Sequence, residues 1–531
     1  MPSSALPNTP LFERAVKYAQ SNPGTAIHDT RRGKDYTYSD LVRGAAALRN
    51  VILELRNTDD LKEERVAFLC PNGFAYVVSQ WAIWAAGGIA VPLCPTHPLP
   101  EQLYTIQDSQ ASLLLSHPVF AERAEQLKEN ISCHIIDDET LESLVAKNMP
   151  TTFDFDLQRS AMILYTSGTT GKPKGAVTTH ANIDAQTKAL VDAWRWSSED
   201  RIHHILPLHH VHGIINAMTC ALYAGATVEM YQKFDPDQVW NRWLATAQSN
   251  LPLLTIFMSV PTVYSKLVAR HKTLDDQSAY SEACKQFRFM VSGSASLPTP
   301  LRETWRQISC GQVLLERYGM TELGMALSQP YPENKRIEGT VGLPLEDVQT
   351  RIMAESQEGS GVFDKDVTEE RNVPGLLEVK GPNVFKGYWQ RPEATAKEFT
   401  KDGWFKTGDY AMRTGEQGYY QILGRASTDI IKTGGEKVSA LEIERELLSS
   451  PNLGVEDVAV IGVDDSEWGQ KVAAVVVLEK GKTLDVATMR NDLKSRIAVY
   501  KVPHLLQVVD ALPKNAMGKV TKKELAKYFQ N

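Results

Sequence analysis

A glycine-rich segment, YTSGTTGKPKG at residues 165–175, comes directly after the apolar run AMIL at residues 161–164. The apolar run is typical of a buried strand, so the segment begins where a strand ends. Glycines let backbone N–H groups converge on an anion, hydroxyl groups add donors and lysines add positive charge. The pattern predicts a phosphate-binding loop. A plain surface turn is the alternative, because clusters of glycine, serine and threonine are common in loops.

The spacing within this segment excludes one large class of phosphate-binding loop. A Walker A loop requires G-x-x-x-x-G-K-[ST] at the start of a helix. Here Pro173 follows Lys172, and Thr166 occupies the place of the first glycine. Because a helix does not readily open through Lys-Pro-Lys-Gly, we predict that the chain is not a P-loop NTPase.

Length, charge and cysteine usage narrow the class of protein. At 531 residues the chain is too long for one compact core, so we expect at least two domains. The net charge of −7 does not favour binding to nucleic acid or to an anionic membrane surface. The cysteines lack C-x-x-C spacing, which indicates buried, reduced thiols in a cytosol-like compartment. They are Cys70, Cys94, Cys133, Cys220, Cys284 and Cys310.

The sequence shows little sign of a targeting signal or of a membrane-spanning segment. The N-terminal stretch has no signal-peptide apolar core, and the last residues are Phe-Gln-Asn rather than Ser-Lys-Leu. An apolar stretch at residues 75–94 contains Gly87, Gly88 and Pro92, which predicts a core helix followed by the strand GIAVPL. We expect a cytoplasmic protein without a transmembrane segment, and no oligomeric state is predicted.

The character of the sequence changes along the chain. Residues 1–150 alternate short apolar strands with helical patterns, as in a doubly wound α/β layer. Residues 330–424 are richer in strand and glycine patterns and indicate a β-rich subdomain. From residue 425 onward, strands and helices alternate in a compact α+β unit.

Three histidines, His209, His210 and His212, follow a strand predicted at residues 203–208. Their H-H-x-H spacing matches no common zinc site, and no partner cluster exists elsewhere in the sequence. Two alternatives remain open. One histidine could line or gate a substrate pocket, or it could cap the helix predicted to begin at Gly213.

Two more strands end in turns, FRFMVSGSASLP at residues 287–298 and QVLLERYGMTE at residues 312–322. The ring of Tyr318 offers a flat face suited to stacking on a base. Thr321 and Glu322 supply a hydroxyl and a carboxylate suited to a phosphate and its Mg²⁺. Their place at the carboxyl end of a strand fits the ligand-binding edge of an open α/β sheet.

Taken together, the segments resemble the adenylate-forming superfamily of acyl-CoA synthetases, luciferases and adenylation domains. The resemblance spans residues 35–528 and rests on YTSGTTGKPKG, PLHHVHG, RYGMTE, GYWQRPEAT, GWFKTGD, GRASTDIIKTGGEKVSALEIE and PKNAMGKV in the family's order. A finer resemblance is to the malonyl-CoA synthetases, through LPLHHVHGIINA, MVSGSASLP, LLERYGMTE and DIIKTGGEKVSALEIE.

The resemblance implies a fold and a reaction. The fold is α/β with an α+β C-terminal domain. Residues 1–424 form a large N-terminal domain of two doubly wound α/β subdomains plus a β-rich subdomain, and residues 425–531 form a small mobile C-terminal domain. The reaction uses ATP, Mg²⁺ and CoA. A carboxylate attacks the α-phosphate and releases pyrophosphate, and the thiol of CoA then displaces AMP.

The resemblance also implies roles for particular residues, including Asp409 and Lys519, which local patterns mark only as ordinary turn residues. The β- and γ-phosphates are assigned to the glycine-rich loop: Thr166, Ser167, Gly168, Thr169, Thr170, Gly171, Lys172 and Lys174. Adenine is assigned to Ser294, Ala295 and Tyr318, and ribose to Asp409 and Arg425. Thr321 is assigned to the α-phosphate and Glu322 to Mg²⁺. Lys519 is assigned a place between the attacking carboxylate and the α-phosphate. Gly434 and Gly435 are assigned to the route of CoA.

The predicted substrate is malonate or a close small dicarboxylate. Its second carboxylate needs a buried cation, and Arg317 is the candidate, with His210 and Ser292 adding hydrogen bonds. An internal ion pair of Arg317 is the alternative for that residue. For the whole protein the alternatives are a short- or medium-chain monocarboxylate ligase, an oxalate- or methylmalonate-CoA ligase, a luciferase-like oxygenase and a non-catalytic nucleotide-binding regulator. Ser427 departs from the usual Asp or Lys of the family's hinge, which weakens that assignment.

Overall fold

A computed structural model of the chain describes residues 5–21, 24–144, 149–166, 172–249, 251–357, 361–433, 436–465, 467–514 and 520–529. In chain order its helices are α1 (Pro10–Ser21), α2 (Tyr38–Leu55), α3 (Phe74–Ala85), α4 (Leu99–Ser109), α5 (Ala121–Leu127), α6 (Asp138–Leu144), α7 (His180–Ala193), α8 (Cys220–Ala224), α9 (Pro236–Gln248), α10 (Pro261–His271), α11 (Gln277–Ala283), α12 (Thr299–Ile308), α13 (Pro392–Glu398), α14 (Ala440–Leu448), α15 (Val486–Leu493) and α16 (Lys522–Leu525). A π-helical segment, His212–Thr219, runs into α8.

The strands of the N-terminal region are β1 (Ala5–Pro7), β2 (Thr25–Asp29), β3 (Lys34–Thr37), β4 (Arg65–Leu69), β5 (Ile89–Pro92), β6 (Leu113–Ser116), β7 (Ser132–Ile135), β8 (Thr151–Phe153), β9 (Ser160–Thr166), β10 (Lys174–Thr179), β11 (Arg201–His204), β12 (Thr227–Met230), β13 (Ile256–Ser259), β14 (Phe289–Ser292), β15 (Leu315–Met320), β16 (Gly324–Ser328) and β17 (Leu343–Pro344). The remaining strands are β18 (Gln349–Glu355), β19 (Phe363–Asp366), β20 (Gly375–Lys380), β21 (Gly387–Tyr388), β22 (Phe405–Thr414), β23 (Tyr419–Arg425), β24 (Ile430–Thr433), β25 (Glu436–Ser439), β26 (Val455–Asp465), β27 (Gly469–Leu478) and β28 (Leu505–Val508).

Two large sheets form the body of the protein. One has the order β21-β10-β9-β5-β4-β6-β7, and the other has the order β17-β16-β15-β14-β13-β11-β12-β2-β3. Their inner strands run parallel, while the pairs towards the edges are antiparallel: β21–β10, β10–β9, β17–β16, β16–β15 and β2–β3. Helix α3 contacts β4 and β5 of the first sheet and β2 of the second, and every one of its residues is buried. The long apolar stretch is therefore a core helix between the sheets, as predicted.

Local patterns explain where several helices begin and end. Thr37 and Asp40 form a capping box at the start of α2, and Thr179 and Asn182 do the same for α7. Helix α3 ends before Gly87, whose φ of +77° turns the chain towards β5.

The later part of the chain builds two smaller sheets. An antiparallel sheet of order β19-β18-β20-β22-β23 is the predicted β-rich subdomain. After it, β25-β24-β27-β26, with β28 parallel to β27, carries α14 and α15 and encloses its own apolar core. The predicted fold class is confirmed. The boundary between residues 424 and 425 stays a proposal, and β23 ends at Arg425 next to it.

Three local predictions were wrong. The strand expected at residues 203–208 is β11, which ends at His204, because the chain then turns ahead of the π-helical segment. Asp409 lies within β22 rather than in a turn. Cys310 is exposed and Cys133 is half-buried, although the other cysteines are buried and all are free, as predicted.

No helix in the described ranges combines the length and apolar character needed to cross a membrane.

Candidate active site

Three sheets bring the predicted nucleotide residues to one region. The hairpin β9–β10 carries Thr166 and Lys174, which are paired across the two strands. Strand β15 of the nine-stranded sheet carries Tyr318, and the neighbouring strands β22 and β23 of the β-rich sheet pair Asp409 with Arg425. The region therefore lies where the seven-stranded, nine-stranded and β-rich sheets meet.

Tyr318, Asp409 and Arg425 form a hydrogen-bonded chain. The hydroxyl of Tyr318 donates to Oδ2 of Asp409 at 2.5 Å, and Nε of Arg425 lies 3.1 Å from Oδ1 of the same carboxylate. Burial would lower the pKa of Arg425, but the negative charge of Asp409 and its neighbours raises it. Tyr318 lies in an extended strand, with the turn after it at Thr321, so its ring is held on a sheet rather than on a tight turn.

Glu322 and Lys174 share a partner that the sequence did not single out. Tyr388 in β21 donates from its hydroxyl to Oε1 of Glu322 at 2.8 Å. The ammonium group of Lys174 lies 3.9 Å from the centre of the Tyr388 ring and 3.6 Å from Oε1 of Glu398. Tyr388 is part of GYWQRPEAT, but a strand tyrosine gives no local sign of function. Only its contacts identify it.

The flanks of the glycine-rich loop are anchored by helix α4. Tyr104 donates to the carbonyl of Pro173 at 2.7 Å, and Nζ of Lys172 lies 5.4 Å from the centre of the Tyr104 ring. Tyr165, at the other flank, donates to Asp108 at 3.0 Å. The loop itself lies outside the described residues: Ser167, Gly168, Thr169, Thr170 and Gly171. Its phosphate-binding role stays a prediction.

Arg317 is a buried guanidinium without a carboxylate partner in the described part of the chain. Its Nη2 donates to Oγ of Ser294 at 3.1 Å, and its Nε has no hydrogen-bond partner there. Neighbouring Glu316 pairs instead with Arg302. Burial lowers the pKa of Arg317 to about 9, which still leaves the side chain charged at neutral pH. The alternative of an internal ion pair finds no support among these residues.

Ser294 links Arg317 to His212. Its hydroxyl accepts from Nη2 of Arg317 and lies at hydrogen-bond distance, 3.4 Å, from Nδ1 of His212. Nε2 of the same imidazole is buried and has no hydrogen-bond partner in the described ranges. Burial, reinforced by the charge of Arg317, holds the pKa of His212 well below its usual range. Oγ of Ser292 is also buried, with no hydrogen-bond partner in the part of the chain that the structure describes.

Gly293 makes this arrangement possible. A Cβ added at Gly293 would collide with the guanidinium of Arg317. The guanidinium therefore packs directly against the backbone after β14, where a larger residue would displace it.

His210 lies beside this cluster, with its ring centre 4.2 Å from that of His209. His210 also lowers the pKa of His212, after burial, Arg317 and His204. Ala295 is exposed next to Ser294, and Thr321 lies in the turn after β15. Lys519, Gly434 and Gly435 lie outside the described residues, so their roles stay predictions.

Where the chain is described, no group of three or more His, Cys, Asp or Glu could hold a metal ion by itself. Mg²⁺ is commonly bound through one or two carboxylates together with substrate phosphates and water. Glu322 fits that use, because Tyr388 occupies Oε1 and orients the carboxylate. The residues suit a metal that arrives with a nucleotide.

Comparison with known families agrees with this geometry. The family model described as "AMP-binding enzyme" matches residues 12–389, and "AMP-binding enzyme C-terminal domain" matches residues 442–519. The chain belongs to the AMP-binding enzyme family, and the superfamily recognised from the motifs is confirmed.

Individual relatives are similar over nearly their whole length. The chain is 45% identical to the mitochondrial malonate–CoA ligase ACSF3 of Mus musculus, over 98% of this chain and 90% of that protein. ATP-bound MatB from Rhodopseudomonas palustris is 34% identical with a TM-score of 0.85, covering 99% of each chain. A malonyl-CoA ligase solved as a ternary product complex with methylmalonyl-CoA and AMP is 31% identical with a TM-score of 0.65, covering 94% of this chain and 99% of that one.

Proposed function

We propose that the chain is an AMP-forming acid–thiol ligase that converts malonate, ATP and CoA into malonyl-CoA, AMP and pyrophosphate. Full-length similarity to the mouse malonate–CoA ligase and to MatB supports this function. The single structural observation that carries the choice of substrate is Arg317, a buried guanidinium whose Nε has no partner among the described residues. Such a charge is costly to bury unless a ligand carboxylate meets it.

In the first half-reaction, one carboxylate of malonate attacks the α-phosphorus of ATP. The new O–P bond forms as the bond to pyrophosphate breaks, which gives malonyl-AMP. Tyr318 and the pair Asp409–Arg425 hold adenosine, while Thr321 and the loop lysines hold phosphates. When bound with ATP, Mg²⁺ neutralises phosphate charge, and Glu322 is the residue that would hold it. Lys519 bridges the attacking carboxylate and the α-phosphate. Most of this work is positioning and charge neutralisation.

In the second half-reaction, the sulfur of CoA attacks the acyl carbon of malonyl-AMP. The C–S bond forms, the C–O bond to phosphate breaks, and AMP leaves with the electron pair. The thiol proton is released. We propose that the unit from residue 425 onward rotates between the half-reactions and that Gly434 and Gly435 line the route of the pantetheine arm. The turn after Arg425, which includes Ser427, is the proposed hinge.

The second carboxylate of malonate stays intact and faces the cluster around Ser294. Arg317 supplies charge from its Nε, which has no partner in the part of the chain that the structure describes, and His212 and Ser292 add neutral hydrogen-bond donors. His210 borders the same side. Placing a carboxylate here satisfies donors that are otherwise buried without partners among the described residues, and an apolar tail would leave them unsatisfied.

A substrate panel tests the proposal. Pyrophosphate release is measured with malonate, methylmalonate, oxalate, succinate, acetate and octanoate, each with and without CoA, and thioester formation is followed by mass. We expect malonate to give the highest kcat/KM and a CoA thioester as product. Preference for octanoate would leave only the acyl-CoA ligase class, and an oxidised product would indicate a luciferase-like oxygenase.

The compartment is open to the same kind of test. Cytoplasmic location was expected from the sequence, whereas the mouse relative is named mitochondrial. Subcellular fractionation of the full-length protein distinguishes the two locations.

A further inference from the structure

Tyr388 connects two charged groups of opposite sign on the phosphate side of the proposed site. Its hydroxyl donates to Oε1 of Glu322 at 2.8 Å. The centre of its ring lies 3.9 Å from Nζ of Lys174. Within the described part of the chain, Tyr388 is the group that touches both the proposed magnesium carboxylate and a proposed phosphate lysine.

The position of Tyr388 is fixed by backbone as well as by packing. It belongs to β21, whose residues pair with β10, the strand that begins at Lys174. Its backbone N–H donates to Oγ1 of Thr395 at 2.9 Å, and the centre of its ring lies 5.0 Å from that of Phe385. Only 8% of the residue is exposed. The ring is therefore a rigid support, because moving it would disrupt the edge of the seven-stranded sheet.

The two contacts have different chemical consequences. The phenol occupies Oε1 of Glu322, which fixes the rotation of the carboxylate and leaves Oε2 for a cation. The ring attracts the ammonium of Lys174 through its negative face. Glu398 also attracts that ammonium, at 3.6 Å. Both contacts preorganise groups that would otherwise have to be ordered when a nucleotide binds.

We propose that Tyr388 is a positioning residue for the magnesium–triphosphate part of ATP. It orients Glu322 towards the metal ion and holds Lys174 at the level of the β- and γ-phosphates. This inference rests on the proposed function and deepens it, because it adds a residue that acts on the nucleotide only through Glu322 and Lys174.

Two variants separate the contacts. Tyr388→Phe removes the hydroxyl and keeps the ring beneath Lys174, and Tyr388→Leu removes both. The matched control is Tyr231→Phe, since Tyr231 is a buried tyrosine that donates to Oε1 of Glu229 at 3.0 Å outside this cluster. Calorimetric titration measures the affinity of the full chain for AMP and for a non-hydrolysable ATP analogue, with and without Mg²⁺.

For Tyr388→Phe we expect affinity for the analogue with Mg²⁺ to fall roughly tenfold, the scale of one hydrogen bond to a charged group. Affinity for AMP and for the analogue without Mg²⁺ stays within about twofold of wild type, because neither uses the hydroxyl. Tyr388→Leu should also weaken the analogue without Mg²⁺. In pyrophosphate release, the half-saturating Mg²⁺ concentration rises for Tyr388→Phe while kcat at saturating Mg²⁺ recovers.

The outcomes separate this inference from the proposed function. If wild type binds the analogue with Mg²⁺ and Tyr388→Phe matches Tyr231→Phe, the positioning role is wrong and the ligase function stands. Equal losses for AMP and for the analogue would mean a general structural defect and would also overturn it. If wild type shows no Mg²⁺-dependent binding of the analogue, both proposals fail. Tyr388→Phe decides the matter even if Tyr388→Leu does not fold.

Discussion

Tyr318 and Asp409 belong to different sheets, yet the hydroxyl of Tyr318 lies 2.5 Å from Oδ2 of Asp409. Asp409 also faces Arg425 across the pair β22–β23, and the three side chains form one unit. The contact joins the nine-stranded sheet to the β-rich sheet directly at the proposed nucleotide site. A substitution in this unit should therefore weaken the binding of the nucleotide more than the binding of the acid.

Asp409→Ala should raise the KM for ATP by at least about tenfold and change the KM for malonate much less. The substitution removes the proposed ribose contact and leaves the hydroxyl of Tyr318 without its acceptor, and a hydrogen bond to a charged group is worth roughly 1.5–3 kcal/mol. Steady-state kinetics with each substrate varied in turn measure the effect. Asp402→Ala, an exposed carboxylate that pairs with Arg351 at 2.7 Å, is the control. Equal increases in both KM values would argue against the nucleotide assignment.

Arg317→Ala should lower kcat/KM for malonate by at least about tenfold, while activity with acetate or butyrate falls much less or rises. Arg317→Lys should recover only part of the loss, because an ammonium cannot form a bidentate contact. Arg336→Ala is the control, since Arg336 is also buried but donates to backbone carbonyls such as that of Pro330. The ratio of malonate to butyrate activity is the readout. An unchanged ratio would rule out malonate recognition by Arg317.

Gly293→Ala tests the same site without removing the charge. The added methyl group would collide with the guanidinium of Arg317, so the side chain must move. We expect a loss of selectivity for malonate over monocarboxylates, with the KM for ATP within about twofold of wild type. Gly311→Ala cannot serve as the control, because Gly311 has a positive φ and a side chain added there would strain the backbone. Gly44→Ala, at a tight contact inside α2, controls for general destabilisation. Retained selectivity in Gly293→Ala would contradict the close packing.

Lys519→Ala should abolish pyrophosphate release and leave thioester formation from supplied malonyl-AMP largely intact. The expected loss in the first half-reaction is several kcal/mol, the scale of a preorganised donor at a developing charge. Lys527→Ala serves as control, because Lys527 lies near the same end of the chain with its ammonium 5.5 Å from the Tyr528 ring. Equal loss in both half-reactions would show that Lys519 has a structural role or that the rotation is wrong.

His180 should make the protein less stable in mild acid. Burial lowers the pKa of its imidazole to about 3, whereas an unfolded chain titrates near 6.5. As pH falls below that value, the unfolded state binds a proton that the folded state excludes, so His180 by itself contributes a loss of stability of about 1.4 kcal/mol per pH unit. His180→Phe keeps the ring contacts with Trp84 and Phe155 and should reduce the overall slope by this amount, while buried His203 and His204, whose pKa values are also lowered, keep their share. Urea unfolding between neutral pH and about pH 5 measures the slope, and His134→Phe on β7 is the control. An unchanged slope would mean that His180 is protonated in the folded state.

Much of the fold follows from local pattern. The apolar run before the glycine-rich segment is β9, and Pro173 after Lys172 precedes a returning strand rather than a helix. The helix and strand predicted at residues 75–94 are α3 and β5. These predictions succeed because periodicity, glycine and proline act over a few residues. The strand near His203 was predicted too long because an apolar run does not mark where backbone pairing stops.

The ordered motifs also determine the family, and they nominate nearly every residue of the proposed site. Sequence cannot say which of them touch. Tyr388 and Glu322 are joined across two sheets, Arg317 has no carboxylate partner among the described residues, and Ser294 lies between Arg317 and His212. The first relation depends on how separate sheets pack, whereas Arg317 and Ser294 are brought together by the pairing of β14 with β15 within one sheet. In each case the partners are far apart in the chain, so local pattern does not reveal the contact. The sequence thus supplies the chemical groups, and the pairing of strands together with the packing of sheets decides which charges are paired and which are left for a ligand.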